Sequence, residues 1–469
     1  EDDKKQKLVE KLLYDDNYTE EFARNWTTLW TNILIGRTGG TDNNSMISRP
    51  GMQKYLRDSF ARNKSYDRMV YELITASGST TPGEDDFNGA TNFLIDKVNE
   101  EKASLATAAT TKIFLGLQVQ CTQCHNHPFN NWKQETYWRM NAFFRQVRAF
   151  GGGMRGDMVS ARLVDQDFRG EGPGARMEEA EIFFELRNGI VKQAFPTFID
   201  GTEIDRSGYV NVVNRRVEFA KLVLESEFMP KALVNRMWGH FMGYGFTKPV
   251  DDLGPHNIPN NPELLDFLAE EFRTSEYDMR QLISWIVLSK PYQLSSEQNS
   301  SNESDDPLLG QQPRFSQFYL RQMQAEQLYE SLLIATQAGE SRGSYEEQEQ
   351  LKSRWLQQFS QAFGTDEGDE TTSFNGTIPQ VLMMFNGDLM RTAISTDRGS
   401  LIDRLVRDDS MSDKERLEYL FLAGLSREPS REESEIFKQI YHAREGNLSE
   451  SLRDMWWIIL NTNEFIFNH

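Results

Sequence analysis

The residues with the most chemistry in this 469-residue chain stand in "QVQCTQCHNHPFNNW", residues 118–132, which holds both of its cysteines. Cys121 and Cys124 lie three apart, and His125 follows the second directly. Two cysteines and six histidines, shuffled, give Cys-x-x-Cys-His only about once in twenty thousand arrangements, so the pattern was selected for a chemistry. Four readings compete. A c-type haem needs two thiols one helical turn apart for its vinyl groups, then an imidazole that reaches the iron from the same side. Cys121, Cys124 and His125 supply all three. A structural zinc ion needs four ligands, and here would have to recruit His127, a remote histidine or an acid. A thioredoxin-like redox pair expects a strand before its first cysteine, where "ATAATTKIFLGLQVQ" has helical spacing. Free cysteines can also be plain small core residues.

With His125 as proximal ligand, the opposite face of a haem is open or takes a histidine or methionine. His127 is too near His125 in sequence to reach that face. It suits a haem propionate or, equally, a local turn ahead of Pro128. His240, in "NRMWGHFMGYGF", is the candidate distal ligand, with Met237, Trp238 and Met242 able to wall a cofactor; the alternative makes these residues helix core and His240 an internal hydrogen bonder. His256, in "VDDLGPHNIPNNPE", is the next candidate. Its neighbours Asp251, Asp252, Asn257 and Asn260 carry oxygens suited to Ca²⁺ but lack the spacing of an EF-hand, and fit better as a loop held by side-chain hydrogen bonds. Arg236 is a candidate bidentate partner for a haem propionate, or a member of a buried network with Asn235 and Asp252. The chain has no Gly-x-Ser-x-Gly elbow, no P-loop and no His-Glu-x-x-His.

These residues must be positioned by a folded chain of two or three domains, since length and an aromatic content of 12% provide ample core. A net charge of -20 argues against a nucleic-acid or anionic-membrane partner, both of which require clustered cations. The longest apolar runs, "ISWIVLS" and "MWWIIL", fall well short of the roughly 20 residues that span a bilayer. The charged start "EDDKKQKLVEKLLYDD" lacks the apolar centre of a signal peptide, so any export signal is expected upstream or already removed.

Apolar residues three and four apart predict a mainly α, multi-helical fold: two helical domains with a small β-hairpin insertion around 181–199. Residues 1–165 read as the helical domain with the CxxCH motif, and 166–208 as a Gly-rich connection followed by the hairpin, with Asn188-Gly189 at its turn. A second helical domain is expected to begin over 209–300, pass through a linker or loop at 301–315 and finish over 316–469.

The segment "FLGLQVQCTQCHNHPFNNWKQETYWRMNAFFRQV" resembles the planctomycete cytochrome c-like exported protein family, in which a cytochrome-type domain of unknown function precedes a second uncharacterised helical domain. That second domain is similar to "KALVNRMWGHFMGYGFTKPVDDLGPHNIPNNPELLDFLAEEF", "RQMQAEQLYESLLIAT", "MMFNGDLM" and "LFLAGLSREPSREE" here. The resemblance implies a periplasmic or cell-surface location and, in some members, an upstream cytochrome domain. The expected function is an exported protein with one covalent haem c, engaged in electron transfer or haem-based redox chemistry with a redox partner protein or that upstream domain. The alternative is a cell-envelope assembly or binding module in which the CxxCH site holds a structural haem or a metal such as zinc.

Overall fold

The computed structural model describes residues 2–40, 45–99, 102–155, 158–338, 351, 354, 355, 358, 384 and 387–468. Within these residues the chain is mainly helical with small sheets, and it divides into two compact units, Glu1–Phe318 and Tyr319–His469.

The first unit opens with α1 (Asp2–Tyr14), α2 (Thr19–Ile35), α3 (Arg49–Ala61) and α4 (Tyr66–Thr75). Helix α2 buries Ala23, Trp26, Trp30 and Leu34, a stripe spaced three and four apart. Pro50 suits the first turn of α3, and Ser48 caps it by accepting from the Gly51 N–H at 3.2 Å. Tyr66 of α4 is fully buried with its ring 5.7 Å from Trp30. Helix α5 (Ser104–Leu115) is buried nearly all round despite its threonines. They are accommodated because Thr107, Thr110 and Thr111 each donate to a carbonyl four residues earlier. Helix α6 (Gln134–Asn141) follows the CxxCH segment.

A three-stranded antiparallel sheet comes next in the order β1-β3-β2, formed by β1 (Gly78–Ser79), β2 (Val147–Arg155) and β3 (Met158–Asp165). Residues 147–155 lie in "VRAFGGGMR", whose three consecutive glycines break the alternation that marks a strand, and the register shifts between Gly151 and Gly153. The end of the stretch read as helical is therefore a pair of strands, 147–155 and 158–165. The expected hairpin is present as β4 (Ile182–Glu185) paired with β5 (Val191–Ala194). Its turn differs from the expected one: Gly189 alone takes a positive φ, +79°, and its N–H donates to the Leu186 carbonyl at 2.8 Å. That is a turn closed by a left-handed glycine, not the two-residue Asn-Gly form.

Helices α7 (Arg215–Glu225), α8 (Phe228–Met242), α9 (Pro262–Thr274) and α10 (Met279–Leu288) return to the elements made by the first 165 residues: α7 packs on α4, α8 on α5 and α10 on α1. The join between α7 and the sheet is ionic. Arg216 is fully buried and grips Asp165 bidentately at 2.8 and 2.9 Å, while its remaining nitrogen donates to the Ile74 and Ala76 carbonyls.

The second unit contains β6 (Arg321–Gln322), α11 (Ala325–Thr336), α12 (Asp388–Ala393), α13 (Leu401–Arg407), α14 (Asp413–Leu425), α15 (Arg431–Ala443), α16 (Leu448–Leu460), α17 (Asn463–Ile466) and β7 (Phe467–Asn468). Its core gathers around Leu332, Leu420 and Trp456. Ser412 with Glu415 and Ser430 with Glu433 form capping boxes at the starts of α14 and α15. Part of "MMFNGDLM" lies outside the described residues. Among the described residues no helix is long and apolar enough to cross a membrane.

Replacing Arg216 by Met removes both guanidinium donors to Asp165, leaving it only the Asn214 amide at 2.9 Å, and removes the shared donor to the two carbonyls. Breaking a buried pair from one side is expected to cost about 3–5 kcal/mol. A shift in the urea midpoint measures it, and an unchanged midpoint would show that Arg216 does not hold α7 to the sheet.

Candidate functional site: the CxxCH turn and the loop that meets it

Helix α5 ends at Leu115, just before Gly116, and a 3-10 turn, Val119–Thr122, then carries Cys121. Val119 and Thr122 are fully buried and anchor the turn, the Thr122 hydroxyl donating to the Val119 carbonyl at 2.6 Å. With those two positions turned inward, Cys121 and Cys124 are left exposed, both as free thiols. The element before Cys121 is a helix and not a strand, which separates this turn from a thioredoxin-like arrangement. Helix α6 clamps the end of the motif: the Gln123 carbonyl accepts from Gln134 Nε2 and from Trp138 Nε1, both at 3.1 Å. Gln134 Nε2 also donates to the Glu185 carbonyl of β4 at 2.9 Å, so the hairpin braces the same point.

Of the histidines near the motif, His125 and His127 have opposite ring chemistry, and backbone groups decide it. His125 Nδ1 lies 2.7 Å from the Asn126 carbonyl oxygen, which can only accept. His125 in its neutral form thus carries its proton on Nδ1 and leaves the Nε2 lone pair open. His127 is the reverse. The Phe129 N–H, which can only donate, reaches His127 Nδ1 at 3.2 Å, so the His127 proton sits on Nε2. His127 is buried beside Trp132, Phe129 and His256, with ring centroids 5.7, 6.2 and 4.7 Å away.

His256 arrives from the loop between α8 and α9. Its Nε2 lies 3.1 Å from Asp252 Oδ2 and its Nδ1 lies 3.2 Å from Asn130 Nδ2, so both ring nitrogens are engaged. The loop is fixed at several points. Leu253 N–H donates to the Gly116 carbonyl at 2.6 Å, and Asp251 takes Gln118 Nε2 at 2.7 Å and Lys112 Nζ at 2.9 Å. Asn235 of α8 holds the earlier part of the loop, donating to Thr247 Oγ1 and the Val250 carbonyl and accepting from the Phe246 N–H.

The expected candidates are thus sorted by place. His125, His127 and His256 come together at the motif. His240, in the last turn of α8, packs its ring on Trp26 of α2 at 5.4 Å and on Phe241 at 5.1 Å. Met237, Trp238 and Met242 are core, Trp238 stacking on Phe246. Arg236 is interior, next to Tyr66 and Asp251; burial pulls its guanidinium below its ordinary value and the Asp251 charge opposes that. Asp251 is thus a charged neighbour of Arg236. Of the groups considered for Ca²⁺, Asp252 is engaged by His256 and the Gly254 N–H and Asp251 by Gln118 and Lys112, while Asn257 and Asn260 donate through their amide nitrogens to carbonyls. Among the described residues no three His, Cys, Asp or Glu side chains group as a metal site. Asn130 joins the site without a motif to announce it; its position two before Trp132, whose N–H it accepts at 2.9 Å, is the only local signal of its role.

Residues 1–149 match the family described as PSCyt2, protein of unknown function (DUF1549), and residues 215–373 match PSD1, protein of unknown function (DUF1553). The two stand in tandem, a pattern typical of planctomycete proteins. No curated protein and no solved structure matches the chain. The cysteines, His125, His127 and Asn130 lie in the stretch matched by the first family; Asp251, Asp252 and His256 lie in that matched by the second. The site draws on both.

Desolvation and the adjacent His256 ring pull the His127 imidazole below its ordinary range, with the Asp252 charge opposing. The unfolded chain then binds a proton at His127 before the folded chain does. Its contribution to stability is complete above about pH 6.5 and is lost on acidification below that. In the cofactor-free protein, the His127 ring resonances are expected to titrate below those of a free histidine; a midpoint at or above the free value would contradict this packing.

Proposed function

We propose that the chain is an exported c-type haem protein of the cell envelope, with one haem attached through Cys121 and Cys124 and His125 as the proximal ligand. The observation that carries this reading is the open Nε2 of His125 directly beside two outward, free thiols on one turn. A metal-ligating histidine commonly donates its other ring N–H to a carbonyl, which fixes the ring and raises its basicity. The Asn126 carbonyl fills that role for His125. The residues present therefore fit the group. When bound, haem supplies an iron able to take up and release one electron at a potential set by its axial ligand and burial.

The chain's own part is positional. Val119 and Thr122 keep the thiols on the outer face, and α6 fixes the end of the motif through the Gln123 carbonyl. His127 keeps an Nε2–H as a donor for an acidic group at the turn. The reading assigns the proximal side of the haem; His256 is committed to Asp252 and Asn130. An exposed attachment turn suits electron exchange with a redox partner protein or an upstream cytochrome domain. The periplasmic or cell-surface location follows from the family resemblance and from where covalent haem is attached in such bacteria.

A second reading, an assembly or binding module with a structural haem or metal, is favoured by Phe129 and Ile258. These apolar side chains are 77% and 72% exposed; Phe129 stacks on His256 with ring centroids 6.2 Å apart, and Ile258 follows His256 by two residues. A pyridine haemochrome spectrum and an intact mass on protein matured in its native host separate the two. The expected result is a c-type spectrum and a mass raised by one haem, both abolished by Cys121→Ala with Cys124→Ala. Protein that carries zinc or no cofactor would contradict the haem reading.

A further inference from the structure

Four hydrogen bonds link the end of the CxxCH segment to the loop between α8 and α9, and they can run in only one sense. At one end the Trp132 N–H donates to Asn130 Oδ1 at 2.9 Å, which turns the Asn130 amide nitrogen toward His256. His256 Nδ1, 3.2 Å away, must then accept, and the His256 proton sits on Nε2. That N–H donates to Asp252 Oδ2 at 3.1 Å. At the other end the Gly254 N–H donates to Asp252 Oδ1 at 3.1 Å. Both termini of the chain are backbone N–H groups, which cannot reverse.

The chain is also tightly enclosed. Asp252 is buried, and a Cβ placed on Gly254 would lie 2.8 Å from His256 Cε1 and 3.0 Å from Asp252 Oδ1, so the backbone passes against the ring with no room to spare. The Asn257 amide donates to the Asp252 carbonyl at 2.8 Å, which holds the acid's own backbone. Beyond Asn130 the effect reaches the motif. The His127 N–H donates to the Trp132 carbonyl at 2.8 Å, closing a loop whose two sides are His127 and Trp132, with Asn130 between them.

We propose that Asp252 is a positioning residue for the CxxCH segment: acting through the tautomer of His256, it holds Asn130 and thereby the 127–132 loop beside the thiols. This deepens the haem reading and rests on it only for what the segment is held ready to bind. The donor and acceptor pattern is itself a property of the cofactor-free chain. The arrangement places the support for a site in the first matched stretch within the second, which gives the tandem a physical reason.

A reciprocal exchange tests it. In Asp252→Asn the new amide oxygen keeps the Gly254 N–H, so its NH₂ faces His256 Nε2 and drives the His256 proton to Nδ1. There it opposes the Asn130 NH₂, which lets go. In the double variant Asp252→Asn with Asn130→Asp, the carboxylate introduced in place of the Asn130 amide accepts from both Trp132 N–H and His256 Nδ1–H, and the chain is satisfied in the opposite sense. Long-range ¹H–¹⁵N correlations of the His256 ring in cofactor-free protein read the tautomer; haem per chain after maturation reads the consequence. Wild type is expected to show Nε2–H. Asp252→Asn is expected to show Nδ1–H and to lose most of its haem loading. The double variant is expected to keep Nδ1–H and recover loading. A role confined to stability would give no rescue from Asn130→Asp, so a double variant no better than Asp252→Asn overturns the proposal. So does Nδ1–H in wild type. Asn130→Asp alone, on a half-exposed loop, covers the case in which Asp252→Asn fails to fold: the introduced carboxylate can no longer donate to His256 Nδ1, so the Nδ1 ¹⁵N resonance is expected to move, and an unmoved resonance overturns the proposal. If no variant and no wild-type protein takes up haem, the haem reading fails while the tautomer results still decide this one.

Discussion

The contact on which the site depends is the hydrogen bond from Leu253 N–H to the Gly116 carbonyl, 2.6 Å long, at the C-terminus of α5. The last carbonyls of a helix have no partner within it and must be satisfied from outside. Here the partner is a loop more than 130 residues away in sequence. Asp251 reinforces the join, reaching Lys112 one turn earlier and Gln118 two residues later. Since the 3-10 turn with Cys121 starts at Val119, the thiols are built outward from a point pinned by both stretches of chain.

That joint explains why so much polarity is tolerated in the interior. Asn235, Thr247, Asp251 and Asp252 are all buried, and each is matched by named donors or acceptors. Buried polar groups of this kind cost little when satisfied and much when one partner is removed, so they specify a single loop conformation where apolar packing would allow several. The packing of α7 on α4, α8 on α5 and α10 on α1 supplies the apolar frame in which the network sits. Function and fold meet at His125, which is only half-buried yet has its ring orientation decided by a main-chain carbonyl.

The sequence makes the helices legible because their apolar positions repeat cleanly, as in the Trp26, Trp30, Leu34 stripe of α2. The β4–β5 hairpin is legible from its two β-rich runs around Asn188 and Gly189. The β2–β3 pairing is not, because glycines remove the side chains whose alternation would reveal β2. The CxxCH residues are legible as a group by spacing alone. What the sequence does not carry is which distant residue meets them. His240, in an aromatic and glycine-rich setting, has the stronger local pattern, whereas the histidine beside His127 is His256. Tautomers are further out of reach, since each depends on which backbone group faces each nitrogen.

The central claim is that, of the histidines gathered at this turn, His125 alone presents an unoccupied Nε2. The measurement that tests it most directly is the ring tautomer of all three in the cofactor-free, reduced protein at neutral to mildly alkaline pH, read from long-range ¹H–¹⁵N correlations. The expected result is the proton on Nδ1 for His125, the less common form for a free imidazole, and on Nε2 for His127 and His256. Nε2–H at His125 would contradict the claim and remove the geometric basis for that residue as a ligand.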